Sequence, residues 1–94
     1  MKLLAANVIE HKKIHTTEAK AKAVRPFVER LVTAAKDDSV ASRRYAARYV
    51  PKHIVAALHK VAATYKERKG GYMRITKTAP RRRDNTRMAF IEFV

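Results

Sequence analysis

The chain has 94 residues, and we expect residues 1–94 to form a single domain. Its 22 Lys and Arg residues outnumber 8 Asp and Glu, and the resulting net charge of +14 predicts a polyanionic partner, most plausibly a nucleic acid. Because 47% of the residues are hydrophobic and there are only 2 Gly and 3 Pro, the composition excludes a disordered basic tail.

The first half of the chain predicts two helices separated by a short strand. Residues 1–11 are mostly apolar and contain neither Gly nor Pro, which is typical of a helix. Residues 12–16 favour a brief strand, after which Thr17 provides an N-cap. Apolar residues at helical spacing then predict one helix over residues 17–36, in which Pro26 is expected to cause a kink or a local break near Arg25.

Two further helices are expected after a polar boundary. Asp38 or Ser39 is suited to cap a short helix over residues 40–48. Pro51 fits the first turn of a fourth helix, because its missing N–H is not needed there. This helix has the clearest apolar stripe in the chain, and we expect it to end at the glycine pair 70–71.

The last quarter predicts an antiparallel hairpin. Residues 72–78 and 88–94 are rich in β-formers and are joined by the polar, arginine-rich segment 79–87. The second strand is apolar on both faces, so one face belongs to the core and the other covers a sheet edge or contacts a neighbouring protein. The predicted class is α+β: a two-layer α/β fold with the order α-β-α-α-α-β-β, helices packed on a small sheet and a C-terminal β-hairpin.

The basic residues indicate how such a domain would bind RNA. Half of them are arginines, whose planar guanidinium makes two parallel hydrogen bonds to phosphate. A single lysine such as Lys60 or Lys66 is more simply interpreted as solvating a helix face. The net charge of +14, however, exceeds the roughly 2 to 8 that the solubility of a small domain needs. The loop over residues 79–87 is the strongest individual candidate, and its simpler interpretation is a disordered hairpin tip. Tyr72 is either a base-stacking residue or a half-buried core residue.

Other chemistry has little support in the sequence. There is no Cys, so thiolate catalysis, disulfides and cysteine-based zinc sites are excluded. His11 and His15 have a metal-ligand spacing, but we expect a helix to end between them. We therefore predict a protein that is not an enzyme, with no cofactor, no metal and no small-molecule substrate. With no Trp, 4 Tyr and 3 Phe, an aromatic base-stacking platform is not expected.

Three motifs resemble the bacterial large-subunit ribosomal protein seventeen family, and the resemblance covers almost the whole chain. They are H-x-x-I-x-T-T-x-x-K-A-K at residues 11–22, G-G-Y-x-R-I-x-K at 70–77 and D-N-x-x-M-A-x-I-E at 84–92. The resemblance implies a structural constituent of the large ribosomal subunit, on the cytoplasmic ribosome near the peptide exit side. It implies direct binding of large-subunit ribosomal RNA, contacts with neighbouring large-subunit proteins, and a role in assembly and translation.

Carried over by position, the resemblance implies a set of candidate RNA contacts from the basic and polar residues of these segments. They are Lys12, Lys13, Thr16, Thr17, Lys20, Lys22, Arg25, Arg43, Arg44, Tyr72, Arg74, Lys77, Arg81, Arg82 and Arg87.

The sequence departs from the family pattern in two places. The family normally carries a basic tail with a Ser-His-Arg stretch before its first helix, whereas this sequence starts at or inside that helix; either the tail was lost or the product is truncated or internally started. Arg83 stands where the family usually has Gly, which raises the loop charge but removes a residue able to adopt positive φ.

Two alternatives to a ribosomal role follow from composition. A nucleoid-type basic DNA-binding protein has the same charge, and it predicts similar affinity for random duplex DNA. A peripheral membrane protein is suggested by the first helix, but this helix has no Trp or Phe for the interface. We therefore expect no membrane partner.

Overall fold

The helices and strands follow one another in the predicted order, and the mixed α+β class is confirmed. The computed structural model describes residues 2–37 and 39–94, which form four helices and a three-stranded sheet. The elements are α1 (Lys2–His11), β1 (Lys13–Thr17), α2 (Glu18–Ala35), α3 (Val40–Ala47), α4 (Lys52–Thr64), β2 (Met73–Thr78) and β3 (Met88–Phe93).

Helix α2 begins where the side chain of Thr17 satisfies one of the free backbone N–H donors of its first turn. The Oγ1 atom of Thr17 accepts a hydrogen bond from the backbone N–H of Lys20 at 3.2 Å, so the predicted N-cap is confirmed. The helix continues unbroken through Pro26 to Ala35, which confirms one helix in place of two.

The starts of α3 and α4 depend on equally local signals. The hydroxyl of Ser39 accepts from the backbone N–H of Ser42 at 3.1 Å and caps α3, while Asp38 lies outside the described residues. Pro51 occupies the N-cap of α4 in an extended conformation, with ψ 157, and Lys52 is the first helical residue. Proline therefore lies one position before the predicted first turn, where its fixed φ still directs the chain into the helix.

Helix α4 ends at Thr64, earlier than the glycine pair that was expected to end it, so that prediction was wrong. Tyr65 leaves the helical conformation, and its ring packs 5.4 Å from Tyr72 and 6.3 Å from Phe93, measured between ring centroids. Its hydroxyl donates to the carbonyl of Val94. Burial of this aromatic group stabilises the early end, because the following residues 66–71 are exposed and gain little from further helix.

The sheet has the order β1-β3-β2, and both pairings are antiparallel. The predicted hairpin of β2 and β3 is confirmed, and the predicted early strand pairs with the other side of β3. β1 starts one residue later than expected because Lys12 adopts φ 67 and its N–H bonds the Val8 carbonyl at 2.7 Å, closing α1.

The register assigns a different role to each face of the sheet. Ile14, Ile91 and Ile75 lie opposite one another across the three strands on the inner face. On β3, Ala89 and Ile91 are fully buried, whereas Phe90 and its outer-face neighbours are half-buried. The apolar pattern on both faces of this strand thus resolves into one core face and one outer face.

The core lies between the inner sheet face and the helical layer. α2 packs across all three strands, α4 and α1 pack against each other and against α2, and α3 packs against α2 and α4. Burying apolar stripes from both layers stabilises this arrangement. The largest fully buried side chains are Tyr72, Ile9, Leu31, Ile54, Leu58, Ile91, Val8, Val24, Val28 and Val32.

Candidate nucleic-acid interface

Most of the predicted RNA-contacting side chains are on the surface. Thr16, Thr17 and Arg81 are half-buried, and Tyr72 is buried. The exposed candidates are Lys12, Lys13, Lys20, Lys22, Arg25, Arg43, Arg44, Arg74, Lys77, Arg82 and Arg87.

Tyr72 is a core residue, which removes it from the candidate contacts. Its side chain is 0% exposed, and its hydroxyl bonds the Thr33 hydroxyl and the Arg68 carbonyl, both at 3.2 Å. Burial raises the pKa of Tyr72, but hydrogen bonding from Lys36 and Thr33 outweighs burial, so its pKa lies below the ordinary value. A ring with no exposed face has no surface on which a base could stack.

Glu18, the first residue of α2, brings together cations from three parts of the chain. Its Oε1 atom lies 2.9 Å from Nζ of Lys22 and 3.6 Å from Nζ of Lys77 on β2. The backbone N–H of Glu18 also bonds the carbonyl of Arg87 at 3.0 Å. The hydrogen bond from Lys22, with the positive charges of Lys77 and Arg87, holds the pKa of Glu18 below its ordinary value although burial opposes the shift. The carboxylate therefore holds the side chains of Lys22 and Lys77, while the backbone N–H of Glu18 holds only the main chain of Arg87.

Glu92 has the same role at the opposite end of the sheet. The register places it between Lys13 and Arg74, on the two edge strands. Its carboxylate lies 3.8 Å from Nζ of Lys13, and it accepts two hydrogen bonds from the guanidinium of Arg74, at 3.1 and 3.2 Å. Both cations remain exposed and share one carboxylate, which leaves N–H donors available to an anion.

The arginine-rich loop has a backbone held by hydrogen bonds that cross it. The backbone N–H of Arg81 bonds the carbonyl of Thr86 at 2.8 Å, and the carboxylate of Asp84 accepts from the N–H of Thr86 at 3.1 Å. Hydrogen bonds from Thr86 lower the pKa of Asp84. Asp84 also lies 3.6 Å from Nε of Arg81. Arg81 is thus turned towards the loop itself.

The two arginines at the loop tip point to solvent. Arg82 and Arg83 are exposed, and within residues 2–37 and 39–94 neither makes an ion pair. The left-handed residue of this loop is Asn85, with φ 57, while Arg83 does not have positive φ. Arg83, where the resemblance leads one to expect a glycine, therefore adds charge without backbone strain, because Asn85 adopts the left-handed conformation and asparagine tolerates it well.

Arg43 and Arg44 lie in the helical layer, in a part of the sequence separate from the three carboxylates Glu18, Glu92 and Asp84. Both are exposed on α3, which packs against α2 and α4. Lys20, Lys22 and Arg25 occupy exposed positions of α2 near its start. The candidate residues consequently cover the sheet edges, the loop tip and part of the helical layer.

Sequence reasoning missed the carboxylates that organise the cations. Glu18 and Glu92 were not singled out, because Lys77, Lys13 and Arg74 are distant from them in sequence and become neighbours only through strand pairing. It also missed the outer-face pair of His15 and Phe90, whose ring centroids lie 4.6 Å apart. Period-two alternation in each strand was the available signal, but the register between strands was needed to combine them.

The described residues offer neither a membrane-spanning helix nor a cluster of metal-ligating side chains. Every helix within residues 2–37 and 39–94 is too short or too polar to cross a bilayer. In that part of the chain, His, Asp and Glu side chains do not gather in groups suited to a metal ion.

Comparison with known proteins supports the resemblance drawn from the three motifs. The sequence profile described as ribosomal protein L17 matches residues 1–94. The large ribosomal subunit protein bL17 of Persephonella marina is 52% identical over 95 residues, which cover 97% of this chain and 77% of that relative.

Proposed function

The chain belongs to the ribosomal protein L17 family, and on that basis we propose that it binds large-subunit ribosomal RNA through Arg and Lys contacts to phosphate and supports subunit assembly. Its family role is that of a structural component of the large ribosomal subunit, on the cytoplasmic ribosome during translation. A catalytic function is not part of this proposal.

The observation that carries the proposal is the way three carboxylates position the cations. Glu18 and Glu92 each hold basic side chains from two segments, and Asp84 holds Arg81 of its own loop. Cations fixed by the fold lose less conformational entropy on binding than free side chains do. A net charge of +14 remains after these pairings, so the surface has a large excess of donors for phosphate.

The mechanism is electrostatic and geometric. Folded RNA brings phosphates together, and their repulsion is reduced when fixed guanidinium and ammonium groups lie between them. The rigid two-layer body sets the distances between those groups, so one domain over residues 1–94 selects an RNA shape in preference to a sequence. The proposed contacts are Lys12, Lys13, Thr16, Thr17, Lys20, Lys22, Arg25, Arg43, Arg44, Arg74, Lys77, Arg81, Arg82 and Arg87, with Arg83 added from its position at the loop tip.

A competition experiment distinguishes this function from duplex DNA binding. Labelled large-subunit ribosomal RNA is bound to the chain and displaced by unlabelled random duplex DNA or by the same RNA, at low and at moderate salt. We expect RNA to compete far better than DNA and the difference to persist as salt rises, because shape-specific contacts add to counterion release. Equal competition by DNA would support the nucleoid-type alternative and contradict ribosomal RNA binding.

Assembly into the subunit is tested in cells. The tagged chain is expressed in a bacterial host, and the lysate is sedimented through sucrose at moderate and at high salt. We expect co-migration with the large subunit that survives high salt, in contact with its RNA and with neighbouring proteins. A chain that remains at the top of the gradient would contradict its incorporation.

A further inference from the structure

The outer face of the sheet carries an aromatic surface that a phosphate-binding role does not use. His15 on β1 and Phe90 on β3 have ring centroids 4.6 Å apart with planes inclined by 32°. Nζ of Lys13 lies 4.5 Å from the centroid of the Phe90 ring, a cation–π contact. The three side chains therefore form one group on the outer face.

The imidazole is fixed in a defined orientation. Its Nε2 atom lies 3.0 Å from the Thr78 hydroxyl on β2, and β3 runs between these two strands. The side chain of His15 therefore spans the central strand, close to Phe90. A ring already held in place gives up little freedom when a flat ligand stacks on it.

This face is open within the described residues. α2 packs on the inner face, where Ala89 and Ile91 are buried, while His15 and Thr76 on the outer face are exposed. Phe90 is half-buried beneath its two neighbours. An exposed imidazole lying against a phenyl ring leaves a π surface directed to solvent.

Cations stand at both ends of the same face. Lys13 and Arg74 lie beside Glu92 at one end, and the guanidinium of Arg81 lies 3.6 Å from Sδ of Met88 at the other. The four steps along β3 between Met88 and Glu92 measure about 13 Å, at a rise of roughly 3.3 Å per residue. Comparable sheet surfaces accommodate two or three nucleotides, with bases on the aromatic centre and phosphates on cations.

We infer that the open sheet face binds an unpaired nucleotide segment of RNA, with a base stacked on the His15–Phe90 pair and adjacent phosphates on Lys13, Arg74 and Arg81. This inference rests on the proposed RNA-binding function and names a second mode of contact within it. The absence of Trp led us to expect no base-stacking surface. That expectation did not count imidazole rings, and composition does not tell which rings share a face of the sheet.

The test separates base stacking from phosphate binding. The full chain is titrated with an oligoriboadenylate of about ten nucleotides and with an abasic oligonucleotide of equal length and charge. Because stacking contributes about 5- to 160-fold in affinity per base, we expect the wild-type chain to prefer the base-bearing strand by at least about fivefold. The imidazole C–H resonances of His15 should shift with adenylate and stay unchanged with the abasic strand.

Three variants test which side chains cause the preference for the base-bearing strand. His15→Gln keeps a polar group for Thr78 but removes the ring, and Phe90→Leu keeps apolar volume, so both should reduce the preference to about onefold. Arg82→Gln, at the loop tip, is the matched control and should weaken both oligonucleotides equally. If Phe90→Leu fails to fold, the shifts of the His15 imidazole C–H resonances in the wild-type chain decide whether a base stacks on this face.

The outcomes distinguish this inference from the function on which it rests. Equal binding of the two oligonucleotides, or a preference that persists in both ring variants, would overturn the stacking surface. If the same chain still binds large-subunit ribosomal RNA in that buffer, the proposed function stands without it. A chain that binds neither RNA contradicts both.

Discussion

Removing the charge from the loop tip is the sharpest test of how this protein holds RNA. Arg82 and Arg83 are exposed and make no ion pair within the described part of the chain, so Arg82→Gln/Arg83→Gln removes two charges and breaks no ion pair there. The loop backbone is held by Asp84 and Thr86 instead. The unfolding free energy should consequently change by less than about 0.5 kcal/mol.

The magnitude follows from counterion release. Each phosphate contact contributes about 0.7 to 0.9 to the slope of log affinity against log salt, so losing two contacts should lower the slope by about 1.4 to 1.8. Over a fourfold rise in salt, the affinity advantage of the wild-type chain over the variant should then shrink by about 7- to 12-fold. The penalty of the substitution is thus largest at low salt.

The assay is filter binding of large-subunit ribosomal RNA at several salt concentrations between about 50 and 200 mM. The matched control is Lys60→Gln/Lys66→Gln, which removes the same charge from exposed positions in α4 and just beyond its end. These lysines are interpreted as solvating a helix face, so the control should keep the wild-type slope.

Two results would refute the reasoning. If both double variants lose the same affinity and the same slope, net charge alone determines binding and the fixed tip has no special role. If the tip variant keeps the wild-type slope, its arginines do not contact phosphate at all.

Three further predictions concern stability and burial. Thr17→Ala removes the cap that bonds the N–H of Lys20 and should lower the unfolding free energy by about 1 kcal/mol in urea denaturation, whereas an unchanged midpoint would contradict the cap. Because the folded pKa of Glu18 is depressed, its stabilisation is present above about pH 4.3 and is lost as the pH falls through the lower folded value. Glu18→Gln should therefore flatten the loss of thermal stability in acid, and parallel melting curves for the two chains would count against this. Tyr72→Phe removes hydroxyl bonds such as that to Thr33 and should lower stability by about 1 kcal/mol with RNA affinity unchanged; weaker RNA binding by the folded variant would return Tyr72 to the interface.

The elements of the fold were predictable because their signals are local. The apolar period of α2, the cap at Thr17 and the boundary at Ser39 each depend on residues within one or two turns. The predicted end of α4 was wrong because it depends on tertiary packing and not on a local signal. Tyr65 ends α4 early because its ring is buried against Tyr72 and Phe93, and no local window around residue 65 contains Phe93.

The candidate site was predictable in composition but not in arrangement. The sequence indicates that the loop is basic, yet Arg81 turns towards Asp84 while Arg82 and Arg83 face solvent. Backbone hydrogen bonds across the loop decide between those orientations. Whether each exposed cation reaches phosphate stays a prediction.

The sequence by itself determined the order of elements, the excess of positive charge and, through three spaced motifs, the family. These properties are additive or local, so they can be seen in a linear string. The tertiary structure alone decided that Tyr72 is buried, that Glu18 meets Lys77, and that His15 lies against Phe90. The last two contacts join residues more than fifty positions apart, and Tyr72 bonds the hydroxyl of Thr33, 39 positions away. Only the pairing of strands on a common core brings such residues together.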